Sequence, residues 1–357
     1  MHVASLMAER LELSDEDRRI VRLCLLLHDV GHGPFSHLFD FVCEEATTEK
    51  YDHERVGRAI VEQDPSIRKA LGADYDRVAE ELAPKRGVLH DLVSGGLDAD
   101  KLDYLRRDSY FAGVEYGKFD FNRILWTIQK DKEINHVVVD EKGMDSIEGF
   151  RLARLLMHVQ VYTHHTRLIA DRMLCRTAKL CVEIKPELRG LFVYPANLDS
   201  AALNRVRSLD DVTLLRTLGE AATGSARDLI DRINSRRLLK RGLGVSLDNV
   251  PVDARSDIVA GKFPFDQMEA SIAGTVGVDR NLVFVTSPKV DDKQYHGWAS
   301  QEPVLVKLSD GQIKEYGDIS FVRAGTEAAM RKLYVFGPEG FESKIEDAAK
   351  TFLRNHH

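Results

Sequence analysis

The sequence predicts a mainly α-helical protein that ends in a smaller α+β lobe. In the first half, apolar residues recur at helical spacing or fill whole helices, and short Gly- and Pro-containing turns separate these segments. Later, short alternating segments have strand character, among them PVLVKLSDGQIKEYG, in which Asp310-Gly311 is a typical hairpin turn. We expect a helical core at residues 1–185, a helical connector at 186–235 and an α+β lobe at 236–357.

The composition is that of a soluble globular protein, since 43% of the 357 residues are hydrophobic and 30% are charged. No apolar run reaches the about 18 residues of a membrane-spanning helix, so no membrane association is expected. The four cysteines form no CxxC motif and no secretory signal pattern is present, so we expect free thiols in a cytoplasmic protein. The net charge of −7 does not predict a general polyanion-binding surface, although it allows a local basic pocket.

The first strong helix follows Ser14. Ser14 and Asp17 form a weak capping box, and the centre of the helix, IVRLCLLL, is apolar on nearly all sides, so we expect it to be buried. It should carry His28 and Asp29 at its C-terminal end. Pro34 should then begin the next helix in its first turn.

Two further helices carry polar residues at defined spacings. His37 and Asp40 are three positions apart, so they should share one helix face. Asp52 should cap a helix that begins with His53. Residues 88–109, VLHDLVSGGLDADKLDYLRRDS, form a second dense polar cluster.

The middle of the chain predicts a hairpin and then a long helix. Residues 135–148 should form the hairpin, with HVVVD followed by the turn EKGM. From Gly149 to Ile184, no further Gly or Pro interrupts a helical pattern. Spacings of four, four and three place one polar stripe on this helix: Arg154, His158, Tyr162 and His165. Such a stripe is more often a structural network than a binding site, but a family resemblance, carried by the motifs described below, favours function here.

The predicted C-terminal lobe holds the strand-like segments NLVFVT (281–286) and KLYVF (332–336), followed by an amphipathic helix, SKIEDAAKTFLRN. A basic run precedes them: Arg236, Arg237, Lys240 and Arg241. This run is either a solvated helix face or a binding patch for nucleic acid or an effector.

The stretch LLHDVGHGPFSH is the most informative part of the sequence. An adjacent His28 and Asp29 at a helix end can place a nitrogen and an oxygen on one metal ion, and two more histidines follow within nine positions. Mixed N/O sites suit Mn, Fe, Mg, Co or Zn. A capped helix end with surface histidines is the alternative. A later carboxylate must complete the ligand set, and Asp100 is the best candidate, with Asp98 and Asp103 as competitors.

These motifs resemble the HD-domain metal-dependent phosphohydrolases. HDVGHGPFSHLFD, DHE at 52–54, DADKLDYLRRD and RLLMHVQVY occur in the order and spacing of the deoxynucleoside-triphosphate (dNTP) triphosphohydrolase branch, which includes a sterile-alpha-motif-linked enzyme and bacterial dGTPase-like proteins. The resemblance covers residues 1–185 and, more weakly, the tail from about 230. It implies an HD-domain helical bundle that hydrolyses dNTPs to a deoxynucleoside and tripolyphosphate. The alternatives are an HD phosphohydrolase for a nucleoside monophosphate, cyclic nucleotide or alarmone, or a non-catalytic nucleotide- or nucleic-acid-binding protein.

The resemblance also implies roles for individual residues. Three residues would hold a divalent metal: His28, Asp29 and Asp100. Three histidines would contact the phosphates and protonate the leaving oxygen: His32, His37 and His53. Among them we favour His37 as the general acid, oriented by Asp40. The substrate pocket would consist of Lys101, Tyr104, Asp108, Arg154 and Tyr162, in which the two cations contact phosphates and the other three hold the sugar.

One departure concerns the start of the chain. In the family, a further metal histidine and a phosphate-binding arginine precede a stretch that resembles MHVASLMAE, with which this chain begins. We therefore expect an N-terminally truncated chain that binds metal weakly. The resemblance further implies a homo-oligomer, dimeric or tetrameric, and a nucleotide effector.

Overall fold

The computed structural model describes residues 1–83, 87–288, 303–320 and 331–356. In this part of the chain helices predominate and two small sheets accompany them, so the predicted mainly α architecture with an α+β C-terminal region is confirmed. No helix in the described ranges is both long and apolar enough to cross a membrane.

The N-terminal core is built from short helices. They are α1 (His2–Arg10), α2 (Asp15–Leu27), α3 (Leu38–Thr47), α4 (His53–Gln63), α5 (Pro65–Leu71), α6 (Tyr75–Glu81), α7 (Val88–Ser94), α8 (Ala99–Ala112) and α9 (Phe121–Thr127). The predicted caps are confirmed, since Ser14 Oγ accepts from Asp17 N at 3.0 Å and Asp52 Oδ1 accepts from Arg55 N at 3.0 Å. These caps satisfy amides that a helix start leaves unpaired.

Two expectations for the region around α2 and α3 are wrong. Only one side of α2 is buried, through Ile20, Val21 and Cys24, while Leu26 is 60% exposed. Pro34 does not begin a helix. Phe35 (φ 60°) and Ser36 (φ 56°) are left-handed and keep the chain in a turn until Leu38.

Further helices lie in the later part of the chain. They are α10 (Met144–Met157), α11 (His165–Ile184), α12 (Ser200–Ser208), α13 (Asp211–Ala221), α14 (Gly224–Asn234), α15 (Val252–Ala260), α16 (Phe265–Val276), α17 (Tyr316–Ile319) and α18 (Glu342–Arg354). The prediction of one continuous helix from Gly149 to Ile184 is wrong. A π-helical turn, His158–Tyr162, separates α10 from α11.

The first sheet has the strand order β1-β2-β5-β6. Its strands are β1 (Ile128–Asp131), β2 (His136–Asp140), β5 (Leu305–Lys307) and β6 (Ile313–Glu315). Strands β1 and β2 are antiparallel, β2 and β5 parallel, and β5 and β6 antiparallel, which confirms the Asp310-Gly311 hairpin. Because β5 pairs with β2, this hairpin lies against the N-terminal core.

The predicted hairpin at 135–148 is wrong in its position. Asp131 Oδ1 accepts hydrogen bonds from Glu133 N (3.0 Å) and Ile134 N (3.3 Å), so the turn precedes HVVVD and joins it to β1. The segment EKG instead forms a 3₁₀ turn that leads into α10, because Asp140 Oδ1 accepts from Lys142 N at 2.9 Å.

The second sheet, in the order β3-β7-β4, is antiparallel and contains β3 (Lys240–Ser246), β7 (Lys332–Gly337) and β4 (Phe284–Thr286). Helices α15, α16 and α18 pack on it around a separate apolar core. The two strands and the closing helix predicted here are confirmed. The division of the chain at residues 185 and 235 stays a prediction.

Candidate active site

His28 and Asp29 stand at the C-terminal end of α2. His28 Nδ1 lies 3.0 Å from Leu25 O, and a carbonyl can only accept, so Nδ1 carries a proton and Nε2 is the ring nitrogen left to face the site. His28 Nε2 lies 3.2 Å from Asp29 Oδ1, and His32 Nε2 lies 3.6 Å from the same oxygen. Partial burial acts to raise the pKa of Asp29, but its hydrogen bond to His32 and the charges of neighbouring histidines lower it to about 2.

Three histidines gather beside this pair. The rings of His32 and His53 stack with centroids 4.1 Å apart, and His37 meets them edge-on at 4.5 and 5.1 Å. One ring nitrogen from each lies within 4.8 Å of the others. The turn that holds His32 packs closely on α4, because a Cβ at Gly31 would overlap His53 O and Gly57 N. Glycine at position 31 therefore brings the histidines together.

The structure pairs Asp40 with His53, whose Nδ1 lies 3.4 Å from Asp40 Oδ2. His37 is the residue that precedes α3, whereas Asp40 lies within its first turn. Burial acts to lower the pKa of His53, but the hydrogen bond to Asp40 and nearby carboxylates raise it above its ordinary value. From the sequence we expected Asp40 to orient His37, and its contact with His53 was not foreseen.

Two atoms in this cluster point to a bound ligand or solvent. His32 Nδ1 and Asp40 Oδ1 are buried and have no hydrogen-bond partner among the described residues. Buried polar atoms in native proteins are nearly always satisfied. We conclude that something other than this part of the chain completes their hydrogen bonding.

The three candidate aspartates of the DADKLD segment have different environments. Asp98 is buried, accepts from Lys101 N at 2.7 Å at the start of α8 and forms an ion pair with Lys101 Nζ. Asp103 pairs with Arg107 on the surface. Asp100 differs from both: burial, then the charge of Asp98, raises its pKa to about 6, and Asp29 adds to this effect.

His28, Asp29 and Asp100 offer nitrogen and carboxylate donors, but among the described residues the group whose ligand atoms all lie within 4.8 Å of one another is His32, His37 and His53. The negative charge of Asp29 acts to raise the pKa of Asp100, and His28 Nε2 lies 3.2 Å from Asp29 Oδ1. The charge of His28 acts to lower the pKa of Asp100, so all three side chains share one electrostatic environment. Nitrogen and carboxylate donors suit Mn, Fe, Mg, Co or Zn.

The predicted sugar-binding residues converge from α8 and the π-helical turn. Tyr162 donates its hydroxyl hydrogen to Asp108 Oδ2 at 2.7 Å, and the rings of Tyr162 and Tyr104 lie 6.2 Å apart. Burial raises the pKa of Tyr104 to about 12, and the positive charge of Arg154 opposes this shift. Arg154 itself is 2% exposed. A tyrosine pair, a carboxylate and an arginine thus lie together.

Lys101 of the predicted substrate pocket and His165 of the predicted polar stripe do not join the group formed by Tyr104, Asp108, Arg154 and Tyr162. Lys101 Nζ donates to Gly95 O at 3.1 Å and pairs with Asp98, so it is held at the start of α8. His165 belongs to α11, beyond the helix break, and its ring lies 6.5 Å from that of Tyr334. It therefore leaves the stripe that holds the other three residues.

One contact of the site was missed at the level of the sequence. Arg167 Nη1 donates to Tyr162 O at 2.6 Å. The contact depends on the helix break at Thr163. The sequence does not predict this break, because no Gly or Pro occurs there. A cation three residues into a helix, where the helix dipole opposes positive charge, is the signal that could have indicated it.

Comparison with known proteins identifies the family of the chain. Residues 1–108 match the HD domain, and residues 119–356 match the HD associated region. The chain belongs to the HD-domain family. The predicted relationship to HD-domain phosphohydrolases is thereby confirmed.

This HD-domain protein is similar to proteins from distant organisms. An uncharacterized protein of Methanocaldococcus jannaschii is 32% identical over 360 residues, which cover 99% of this chain and 70% of the relative. The deoxynucleoside triphosphate triphosphohydrolase SAMHD1 of Gallus gallus is 25% identical over 269 residues, which cover 64% of this chain and 44% of that protein. The chain thus spans less than half the length of some relatives.

A solved structure shares the fold over nearly the whole chain. The crystal structure of a phosphohydrolase from Bacteroides thetaiotaomicron superimposes with a TM-score of 0.68 at 25% identity. The match covers 95% of this chain and 85% of that one. The C-terminal lobe therefore belongs to a shared architecture rather than to this chain alone.

Proposed function

We propose that this HD-domain protein hydrolyses dNTPs to a deoxynucleoside and tripolyphosphate with the help of a divalent metal ion. The observation that carries this proposal is that Tyr104, Asp108, Arg154 and Tyr162 lie together, with Asp100 close enough to act on the pKa of Tyr104. We assign these four residues as the pocket for the sugar. A phosphatase with no nucleoside specificity needs only the His/Asp cluster, whereas a hydrogen-bonded Tyr162–Asp108 pair offers a polar edge for a sugar hydroxyl. The similarity to named dNTP triphosphohydrolases supports the same assignment.

His28, Asp29 and Asp100 would hold the metal ion. When bound, such an ion supplies a Lewis acid for the phosphoryl group and for the activation of water. The chain contributes the orientation of its donors: the backbone bond of His28 Nδ1 fixes which nitrogen faces the site.

The three clustered histidines would hold phosphate oxygens and move a proton. Because His53 Nδ1 faces Asp40, its Nε2 is the atom that can give a proton to the leaving oxygen, and the raised pKa keeps that proton in place. We therefore propose His53 as an acid alongside His37, which the sequence favours. Substitution of the true acid should lower kcat by about 10²- to 10⁴-fold, whereas loss of a phosphate contact should mainly raise KM.

Arg154 would contact the phosphates from α10, and Lys101 from the start of α8. An arginine presents a planar set of donors that matches phosphate oxygens. The sugar would lie between Tyr104 and Tyr162, with Asp108 accepting from a sugar hydroxyl. In this proposal the two cations bind the phosphates, and the two tyrosines and the carboxylate bind the sugar.

Product analysis tests the proposal. Purified protein is loaded separately with Mn, Fe, Mg, Co or Zn, its metal content is measured, and each of the four dNTPs is supplied. We expect tripolyphosphate and deoxynucleoside in equal amounts. Inorganic phosphate, pyrophosphate or a monophosphate would refute the proposed reaction, and turnover of another nucleotide in a panel would favour a different HD phosphohydrolase.

We also propose that the chain self-associates. Two adjacent aromatic residues at the end of α8, Tyr110 and Phe111, are 80% and 79% exposed. Such surface aromatics are typical of protein interfaces. Sedimentation analysis of the wild-type chain and of the double substitution Tyr110→Ser with Phe111→Ser tests this, and a monomeric wild-type chain would contradict it. A nucleotide effector and nucleic-acid binding stay predictions.

A further inference from the structure

Tyr162 ends the π-helical turn, and hydrogen bonds fix the backbone on both sides of that turn. Thr163 N donates to His158 O at 2.8 Å, five residues back, and Thr163 Oγ1 donates to the same oxygen at 2.7 Å. From the following helix, Arg167 Nη1 donates to Tyr162 O at 2.6 Å. π-helical turns inside helices occur frequently at functional sites. This one sets the direction of the Tyr162 side chain.

Arg167 stands where local energetics oppose it. It is the third residue of α11, near the positive end of the helix dipole. It faces Asp171, whose Oδ2 lies 3.4 Å from Arg167 Nε, and an arginine four residues before an acid is the less favourable order. The Asp171 side chain is only 13% exposed, and this burial raises its pKa to about 6.

An arginine placed against the helix dipole and in the less favourable order with its acidic partner indicates a role beyond its own helix. A second contact of Arg167 leads to the backbone of Tyr162, and the hydroxyl of Tyr162 leads to Asp108 at 2.7 Å. Contacts therefore run without interruption from Asp171 to the pocket assigned to the sugar. Neither Arg167 nor Asp171 belongs to that pocket.

We infer that Arg167 and Asp171 are positioning residues that fix the backbone of Tyr162 and so aim its hydroxyl at Asp108. Without the Arg167 bond, the π-helical turn can relax toward an α-helix. Each residue of an α-helix turns through about 100°, so a change in the number of residues per turn changes the direction of the Tyr162 side chain. The Tyr162 ring would then leave the sugar side of the pocket. This inference rests on the proposed function, because Tyr162 matters only if the pocket binds a nucleotide sugar.

The test compares Arg167→Ala, Arg167→Lys and Asp171→Asn with a matched control, Arg172→Ala. Arg172 lies on the same helix and faces Glu45 at 3.8 Å. For each variant, kcat and KM are measured for the best dNTP, and folding is checked by thermal unfolding. We expect Arg167→Ala to raise KM about tenfold, as the loss of a charge-assisted hydrogen bond would. Arg167→Lys should recover part of the loss, Asp171→Asn should have a smaller effect, and Arg172→Ala should leave KM unchanged.

A double-substitution cycle shows whether Arg167 acts through Tyr162. If it does, Arg167→Ala should add little to the effect of Tyr162→Phe, since coupled residues are not additive. Additive effects, or an unchanged KM in a folded Arg167→Ala protein, would overturn the inference. A wild-type protein that hydrolyses no dNTP would instead refute the proposed function, so the two failures are distinguishable.

Discussion

At the scale of single residues, the proposed contact with a sugar depends on Tyr162. Its hydroxyl donates to Asp108, and burial, followed by that hydrogen bond, raises its pKa well above the ordinary value, so it remains a donor at any physiological pH. We expect Tyr162→Phe to lower kcat/KM for dNTPs about 3- to 10-fold, the range of one hydrogen bond. Steady-state kinetics with a dNTP and the matching ribonucleotide measure the effect. Equal kinetics of the variant and the wild type would show that the hydroxyl does not act in binding.

Gly31 offers a second test at this scale. A Cβ there would overlap His53 O and Gly57 N, both of which are backbone atoms that a side-chain rotation cannot move away. We expect Gly31→Ala to destabilise the fold by about 1–3 kcal/mol and to lower activity by displacing His53.

Gly219→Ala is the matched control for Gly31→Ala. Gly219 lies inside α13, and a methyl group added there would meet no neighbouring atom of the described residues within 4 Å. This change should stabilise the fold by about 0.5–1 kcal/mol and leave activity unchanged. Urea unfolding of both variants supplies the comparison, and equal stability changes would contradict the close-packing explanation.

At the scale of secondary-structure elements, local signals were predictable and long-range ones were not. Ser14 and Asp52 cap helices because their side chains reach amides three residues away, and Asp310-Gly311 forms its turn for equally local reasons. The break after Tyr162 carries no Gly or Pro. It depends on hydrogen bonds from Thr163 and Arg167, which no periodicity reveals.

In the candidate site, too, the sequence predicts contacts between neighbouring segments but not contacts between distant ones. Residues His28 to His53 lie on consecutive turns and helices, so their order in the sequence already predicts that they meet. The meeting of Asp108 and Tyr162, 54 positions apart, followed only from the family resemblance. The contact between Asp40 and His53 was missed because it joins two helices, α3 and α4, whose packing depends on Gly31.

Helix α11 should show a pH dependence that originates at Asp171. Its pKa is raised to about 6, chiefly by burial and despite Arg167, whereas an unfolded aspartate titrates near about 3.9. The folded state therefore binds the proton more tightly, so this carboxylate lowers stability as pH rises from about 4 to about 6, by up to about 3 kcal/mol.

Asp171→Asn lacks this titration, so its stability relative to the wild type should increase between pH 4 and pH 7. Urea unfolding of both proteins across this range measures the difference, in which groups common to both cancel. A difference that is independent of pH would contradict the assignment. If the inference about Arg167 also holds, the variant is more stable at neutral pH and yet binds substrate less well.

At the scale of the whole molecule, one buried ion pair joins α11 to the C-terminal lobe. Arg176 Nη2 lies 2.9 Å from Glu269 Oε2, and the side chains are 8% and 2% exposed. Glu269 Oε1 accepts from Val285 N at 3.1 Å, and the Arg176 guanidinium lies 4.8 Å from the Phe284 ring centre. The pair therefore connects α11 with α16 and β4 through hydrogen bonds that water cannot readily replace.

Removal of one partner should cost far more than removal of both. Glu269→Ala leaves a buried arginine whose Nε still lies 3.9 Å from Glu45 Oε1, and it leaves the Val285 amide unsatisfied, so we expect a loss of about 3 kcal/mol. Arg176→Met combined with Glu269→Leu removes both charges, keeps much of the apolar volume and should recover part of that loss, because buried ion pairs are costly to desolvate. Urea unfolding of the wild type, the single and the double variant measures these differences. A double variant that is less stable than Glu269→Ala would contradict this expectation. It would mean that the ion pair itself, and not only the absence of an uncompensated charge, stabilises the contact between the C-terminal lobe and α11.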